Sequence, residues 1–224
     1  MVLLSWEISS LLLKLLSLTF KPTPVKMKGD LIMTTLGTDA QVITSKNTSI
    51  NSSKLPAVYN KVNWDALMSQ WYKEHNGLNP LGIVLDYGCG RYTQHIQDFV
   101  NRQGFYYLGY DPYWNKIDFM LEIEQLSKIN GGGVVAIICS NVLNVIPWWA
   151  GVKEVDAILK SLAFGYANKR LFTTVYEGDK SHIGRETKKD CWQWNRPTES
   201  YLFSSQQVIR KGVITLKGSE RFIK

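Results

Sequence analysis

Residues Val84 to Gln94 read VLDYGCGRYTQ, an apolar run that meets an acid and then two glycines one residue apart. A glycine directly after a strand lets the backbone turn with positive φ and lets a ligand approach with no Cβ in the way. Asp86, Gly88, Cys89 and Gly90 are therefore candidates for holding a nucleotide-like cofactor. Spacing separates the rivals. A dinucleotide-binding G-x-G-x-x-G uses its third glycine and a helix N-terminus to seat a pyrophosphate, and here Arg91-Tyr92-Thr93 follows instead. No Gly-Lys-Ser/Thr follows either, which removes a P-loop. A plain strand-to-helix corner is the structural alternative.

The elements that must position this motif alternate. Asn63 can cap a helix with Trp64, Leu67, Met68 and Trp71 on one face. IVLDY is a continuous apolar run of strand length, the mark of a strand buried on both faces. Ile96, Phe99 and Val100 then sit at helical spacing until Gly104. FYYLGYD, Phe105 to Asp111, is a second strand, followed by a helix with Ile117, Met120, Leu121 and Ile123 among its apolar positions. GGGVVAIICSN supplies a third strand. Val152, Val155, Ile158, Leu159 and Leu162 form a helical stripe, and RLFTTVYEG is a fourth strand. QVIRKGVITLKG reads as a hairpin turning at Lys211-Gly212. This alternation implies an α/β fold with a mostly parallel sheet, helices on both faces and a C-terminal antiparallel hairpin. Ligands of such sheets bind beyond the strand carboxyl ends, where Asp86 to Gly90, Asp111, Ser140 and Asn141 would gather.

Asp86, Gly88 and Gly90 resemble motif I of the class I S-adenosylmethionine-dependent methyltransferases, with Tyr92 standing where that family expects a further glycine. The resemblance implies a Rossmann-like fold, a glycine backbone packed against the methionine moiety of S-adenosylmethionine, and a loop ordered by Asp86. It gives Asp111 the ribose hydroxyls, a task that suits a group accepting two hydroxyl protons. Pro112 and its aromatic neighbour would wall the adenine, and Ser140 and Asn141 would contact the cofactor; Asn144 reads equally as a satisfied buried amide. Asp111-Pro112-Tyr113-Trp114 lacks the second proline of the amino-methylating box and comes too early in the chain to be one. Only about a helix's length separates it from the third strand, so the family's own third strand is expected to be reduced or missing. That compactness looks most like small bacterial and phage members, including methyltransferase-like proteins associated with DNA phosphorothioation.

Charge and composition bear on the acceptor. The chain has 224 residues and a net charge of +7, and from Lys180 onward ten Lys/Arg face four Asp/Glu. The basic excess therefore sits at the C-terminus, where it suits a polyanion such as nucleic acid or is a solvated surface. Within 180–201, Lys180, Arg185, Lys188, Lys189 and Arg196 interleave with Trp192, Trp194 and Tyr201, a pattern that can grip phosphates and stack bases. The alternative is a loop with core tryptophans. Tyr176, Asp179 and Arg185 are the catalytic-side candidates, and His182 is a general base by type only.

Residues 1–57 read as an arm and 58–224 as a methyltransferase domain whose basic substrate region is 177–224. The apolar start is interrupted by Glu7 and Lys14 and has no ~20-residue run able to span a bilayer; an interfacial helix remains open. Purine-rich codons for Lys28-Gly29-Asp30 lie just upstream of Met33, so Met33 is the expected start of a bacterial or phage gene, leaving 1–32 untranslated. Three scattered cysteines and no metal-ligand spacing point to a reducing cytoplasm and no metal. The expectation is thus an enzyme using S-adenosylmethionine, with a non-catalytic S-adenosylmethionine-binding regulatory or phage accessory protein as the alternative.

Overall fold

β1 (Gly82–Tyr87) is buried at every residue because strands flank both its edges and helices cover both its faces. The computed structural model describes residues 54–188 and 191–224. The expected untranslated segment, and the arm as far as residue 53, lie outside the described residues.

In chain order, α1 (Ala57–Lys61) and α2 (Trp64–Glu74) precede β1; α3 (Gln94–Arg102), β2 (Tyr106–Tyr110), α4 (Phe119–Asn130) and β3 (Gly133–Ser140) follow. Then come α5 (Trp149–Gly165), β4 (Leu171–Thr174), β5 (Gly184–Lys188), β6 (Cys191–Trp194), β7 (Gln206–Arg210) and β8 (Val213–Leu216). Six strands form one mixed sheet in the order β2-β1-β3-β4-β8-β7. The first four are parallel, and β8 runs antiparallel to both β4 and β7. The β7–β8 hairpin turns at Lys211 and Gly212, the latter with φ +72°, and finishes one edge. Between β2 and β3 the described chain holds a turn and α4 but no strand.

Alternate side chains of the strands build two cores. On one face Val84, Ala136, Ile138 and Phe172 meet Tyr59, Trp64, Leu67, Trp71, Ile96 and Val100 from the first three helices. On the other, Leu85, Ile137, Leu171 and Ile214 meet Ile123, Val152, Val155, Leu159 and Leu162 from α4 and α5. The Asn63 side chain accepts from Ala66 N–H at 3.2 Å and starts α2. At its far end, Glu74 receives two nitrogens of the buried Arg170 guanidinium at 3.2 and 2.9 Å, tying α2 to the entry of β4. Forked geometry makes this a stronger and more orienting contact than a single ion pair.

Three expectations need correction. Asp118 caps α4 by accepting from Leu121 N–H, so Ile117 precedes the helix, and Leu121 points to solvent at 48% exposure. The first helix begins at Ala57, inside the expected arm, because Tyr59 is drawn completely into the core. The segment after β4, read as a loop, contains the two-stranded antiparallel sheet β5–β6.

Candidate functional site

The sheet order reverses at β1, whose two neighbours β2 and β3 connect in opposite directions, and the glycine loop leaves its carboxyl end there. Gly88 and Gly90 have φ +83° and +72°. The N–H groups of Gly88 and Cys89 donate to Tyr110 O at 2.7 and 3.0 Å, folding the loop over the end of β2. A Cβ on Gly88 would stand 2.3 Å from Val142 Cγ2, so this glycine lets the loop pack against the segment after β3. A Cβ on Gly90 would meet nothing within 4 Å. The loop thus offers bare backbone with open space beside it.

Asp111 fastens that backbone from the next strand. Its Oδ2 accepts from Gly90 N–H at 3.0 Å, and its Oδ1 accepts from the N–H groups of Tyr113 and Trp114 at 2.8 and 3.0 Å. A carboxylate has about four acceptor sites, so three are committed and about one remains for a ligand hydroxyl. Pro112 lies half-buried in the same turn, which the paired bonds between Asp111 and Asn115 close at 3.1 Å. Sequence reasoning assigned Asp111 to a ligand and missed its role as a clasp between two loops.

Beneath the loop, Asp86 is 2% exposed and accepts from the Tyr107 hydroxyl at 3.0 Å. Burial pushes its carboxyl up to about 6, and the Asp111 charge adds to the rise; the hydroxyls of Tyr59 and Tyr107 oppose it. The Tyr59 hydroxyl is buried beside it with no hydrogen bond closed. Burial also pushes the Cys89 thiol far above its ordinary range, with Asp86 and Asp111 adding to the effect. A thiol held protonated is a poor nucleophile, so Cys89 lines the loop rather than reacting.

Past β3, Ser140 and Thr174 share a hydroxyl–hydroxyl bond of 3.1 Å, while Asn141 is exposed in a left-handed conformation, φ +57°, with its N–H on Thr174 O at 2.8 Å. Non-glycine residues in that region carry strain and recur at functional sites. Asn144 is 1% exposed; its Nδ2 donates to Gln193 Oε1 at 3.2 Å, and its Oδ1 is buried without a partner. Trp194 Nε1 donates to Ile146 O at 2.6 Å, so β6 is clamped onto the segment that carries Asn144.

The substrate-side candidates lie further along this rim. Tyr176 is 61% exposed, and Asp179 and Arg185 are exposed near one another. Hydrogen bonding from Ser181 holds the Asp179 carboxyl below its usual range, and the Arg185 charge assists. His182 is exposed with φ +63°. Glu177, not singled out from sequence, is buried: Oε1 accepts from Thr198 N–H and Oγ1–H at 2.9 and 2.6 Å, and Oε2 faces Lys180 at 3.2 Å. Burial raises this carboxyl, but the Thr198 bonds and then the Lys180 ammonium outweigh it and hold Glu177 down to about 2.

Among the aromatics of that segment, Tyr201 is fully buried. Trp149 packs against Trp194, Tyr201 and Phe203 with centroids 5.6–6.3 Å apart. The Arg196 guanidinium lies 4.3 Å from the Trp149 ring centre and 4.6 Å from that of Trp194. Trp194 and Tyr201 are therefore packing residues, and Arg196 is their cover. Lys189 and the Lys188 side chain lie outside the described parts.

Three free cysteines are present, and among the described residues no three His, Cys, Asp or Glu cluster to hold a metal. No described helix is long and apolar enough to cross a membrane. Of the predicted residues, Gly90 and Asp111 are thus bonded directly, and Gly88 and Cys89 are held on Tyr110 O beside them. Asp86 is bonded to the Tyr107 hydroxyl, and Asn141 is reached through Val142. Tyr176 is tied instead to Asn144 through Gln193, whose Nε2 donates to the Tyr176 carbonyl at 3.5 Å. Comparison of the chain with family models, curated proteins and solved structures finds no match to any of them.

Proposed function

We propose that this chain is a compact, Rossmann-like S-adenosylmethionine-dependent methyltransferase. The observation that carries the reading is Gly90: left-handed, with clear space where a Cβ would stand, and its N–H fixed by Asp111 at the reversal point of the sheet. The residues fit such a cofactor. Gly88 to Gly90 would take the methionine moiety against bare backbone, Asp111 has about one acceptor site left for a ribose hydroxyl, and Asn141 is exposed at the end of β3. The cofactor would supply an electrophilic methyl group on a sulfonium. This chain's own contribution is alignment, since transfer from such a group needs an oriented nucleophile more than a strong base.

Tyr176, Asp179 and Arg185 are the exposed groups available to meet an acceptor beyond β4. The C-terminal basic excess favours nucleic acid as that acceptor, and the scattered free cysteines suit work in a cytoplasm. Incubation with tritiated methyl donor and separate DNA, RNA, protein and small-molecule fractions tests the reading. Label should enter one fraction with wild type and not with Gly90→Ala. Donor binding with no labelled fraction would establish instead a non-catalytic cofactor-binding protein.

A further inference from the structure

The loop motif leaves one part unexplained: Arg91 and Tyr92 occupy positions where small residues would suffice to turn the chain. The guanidinium carbon of Arg91 lies 5.3 Å from the Tyr92 ring centre and 5.1 Å from that of Trp114, which comes from the turn after β2. Tyr92 is 47% exposed and Trp114 is 37% exposed. Among the described residues, Arg91 forms no ion pair with a carboxylate.

One group sets the spacing of this trio. Asp111 holds Gly90 N–H, next to Arg91, through one oxygen and Trp114 N–H through the other. The backbone stretches that carry the cation and the indole are thus tied to the same clasp before any ligand arrives, which lowers the ordering cost of binding. A guanidinium stacked on aromatic rings keeps its N–H edge outward, and with no carboxylate to receive it that edge suits a phosphate. Ring faces not covered by Arg91 can stack on a base. In the basic segment, by contrast, Tyr201 is fully buried, Trp194 packs against Trp149, and Trp192 packs edge-on against Trp194.

We infer that Arg91, Tyr92 and Trp114 form a nucleotide-binding lip on the rim of the glycine loop, which holds one phosphate and one base of a single-stranded nucleic acid. This rests on the reading of the adjacent site as a methyl-donor site whose acceptor is nucleic acid. The net charge of +7 draws a polyanion to the surface, and the lip gives it a fixed point next to the loop.

Fluorescence anisotropy tests the inference with the full chain and fluorescein-labelled single-stranded DNA and RNA of mixed sequence, about 20 nucleotides long. Wild type should bind one or both, more weakly at about 200 mM than at about 50 mM salt. Trp114→Leu should weaken binding about 5- to 100-fold, the range for loss of one stacked base. Arg91→Ala should weaken it and reduce the salt slope, and Arg91→Lys should recover the slope but not the full affinity. Melting temperatures and calorimetric affinity for S-adenosylhomocysteine should stay near wild type, which separates lost contacts from lost folding. Wild type without oligonucleotide binding, or variants that bind as wild type does, would overturn the lip. Oligonucleotide binding that depends on Arg91 and Trp114, in a protein with no affinity for S-adenosylhomocysteine, would support the lip and sink the methyl-donor reading alone.

Discussion

Replacing Asp86 by asparagine probes the buried carboxyl beneath the glycine loop. Its rise from 3.8 to about 6 means that the native state holds an extra proton between these values. Stability therefore falls as pH rises through that window, and the penalty is complete above about 6. At about 1.4 kcal/mol per pKa unit, the ionised carboxylate costs the native state about 3 kcal/mol at pH 7. Asparagine has the same shape and keeps an oxygen for the Tyr107 hydroxyl. Weakening a charge-assisted bond to a neutral one returns about 1 kcal/mol. Asp86→Asn should thus gain about 1–3 kcal/mol at pH 7, a rise of about 3–10 °C in Tm for a domain of this size. Urea denaturation of both proteins between pH 4 and 8 is the assay. Their difference should shrink towards pH 4 and level off above pH 6. An Asp86→Asn protein less stable than wild type at pH 7, with an unchanged slope below it, would refute the reasoning.

Other perturbations separate packing from ligand contact. Gly88→Ala meets both the left-handed backbone and Val142, and should cost about 2–4 kcal/mol in urea denaturation, whereas Gly90→Ala meets only the backbone term and should cost about 1–2 kcal/mol. Asp111→Ala removes three accepted N–H bonds; it should weaken S-adenosylhomocysteine binding at least about tenfold by calorimetry while far-UV dichroism keeps the native spectrum. Glu177 is held at about 2, below its ordinary 4.5, so its stabilisation is present above pH 4.5 and is lost as pH falls towards 2. An acid titration followed by tryptophan fluorescence should show a shallower loss for Glu177→Gln than for wild type over that window.

The parallel strands were legible because each contains a short run of apolar or aromatic residues, and the hairpin because Lys211-Gly212 separates two short runs of strand formers. The loop glycines were legible as a turn, since glycine directly after a strand favours the positive φ that Gly88 and Gly90 adopt. β5 was not, because Gly184 to Lys188 is polar; it is a strand through pairing with β6, whose Trp194 anchors on Ile146 O. Glu177 escaped notice because Thr198, its partner, lies 21 residues away and nothing local marks the acid as buried. Arg91 is similar: its contact with Trp114 exists only because Asp111 brings two loops together. Side chains whose surroundings come from distant chain need the fold to be read.

Titration calorimetry of the full chain with S-adenosylhomocysteine tests the central claim most directly. One-to-one binding by wild type, lost in a folded Gly90→Ala variant, is the expected result. No heat with S-adenosylhomocysteine, and binding of NADH instead, would contradict it.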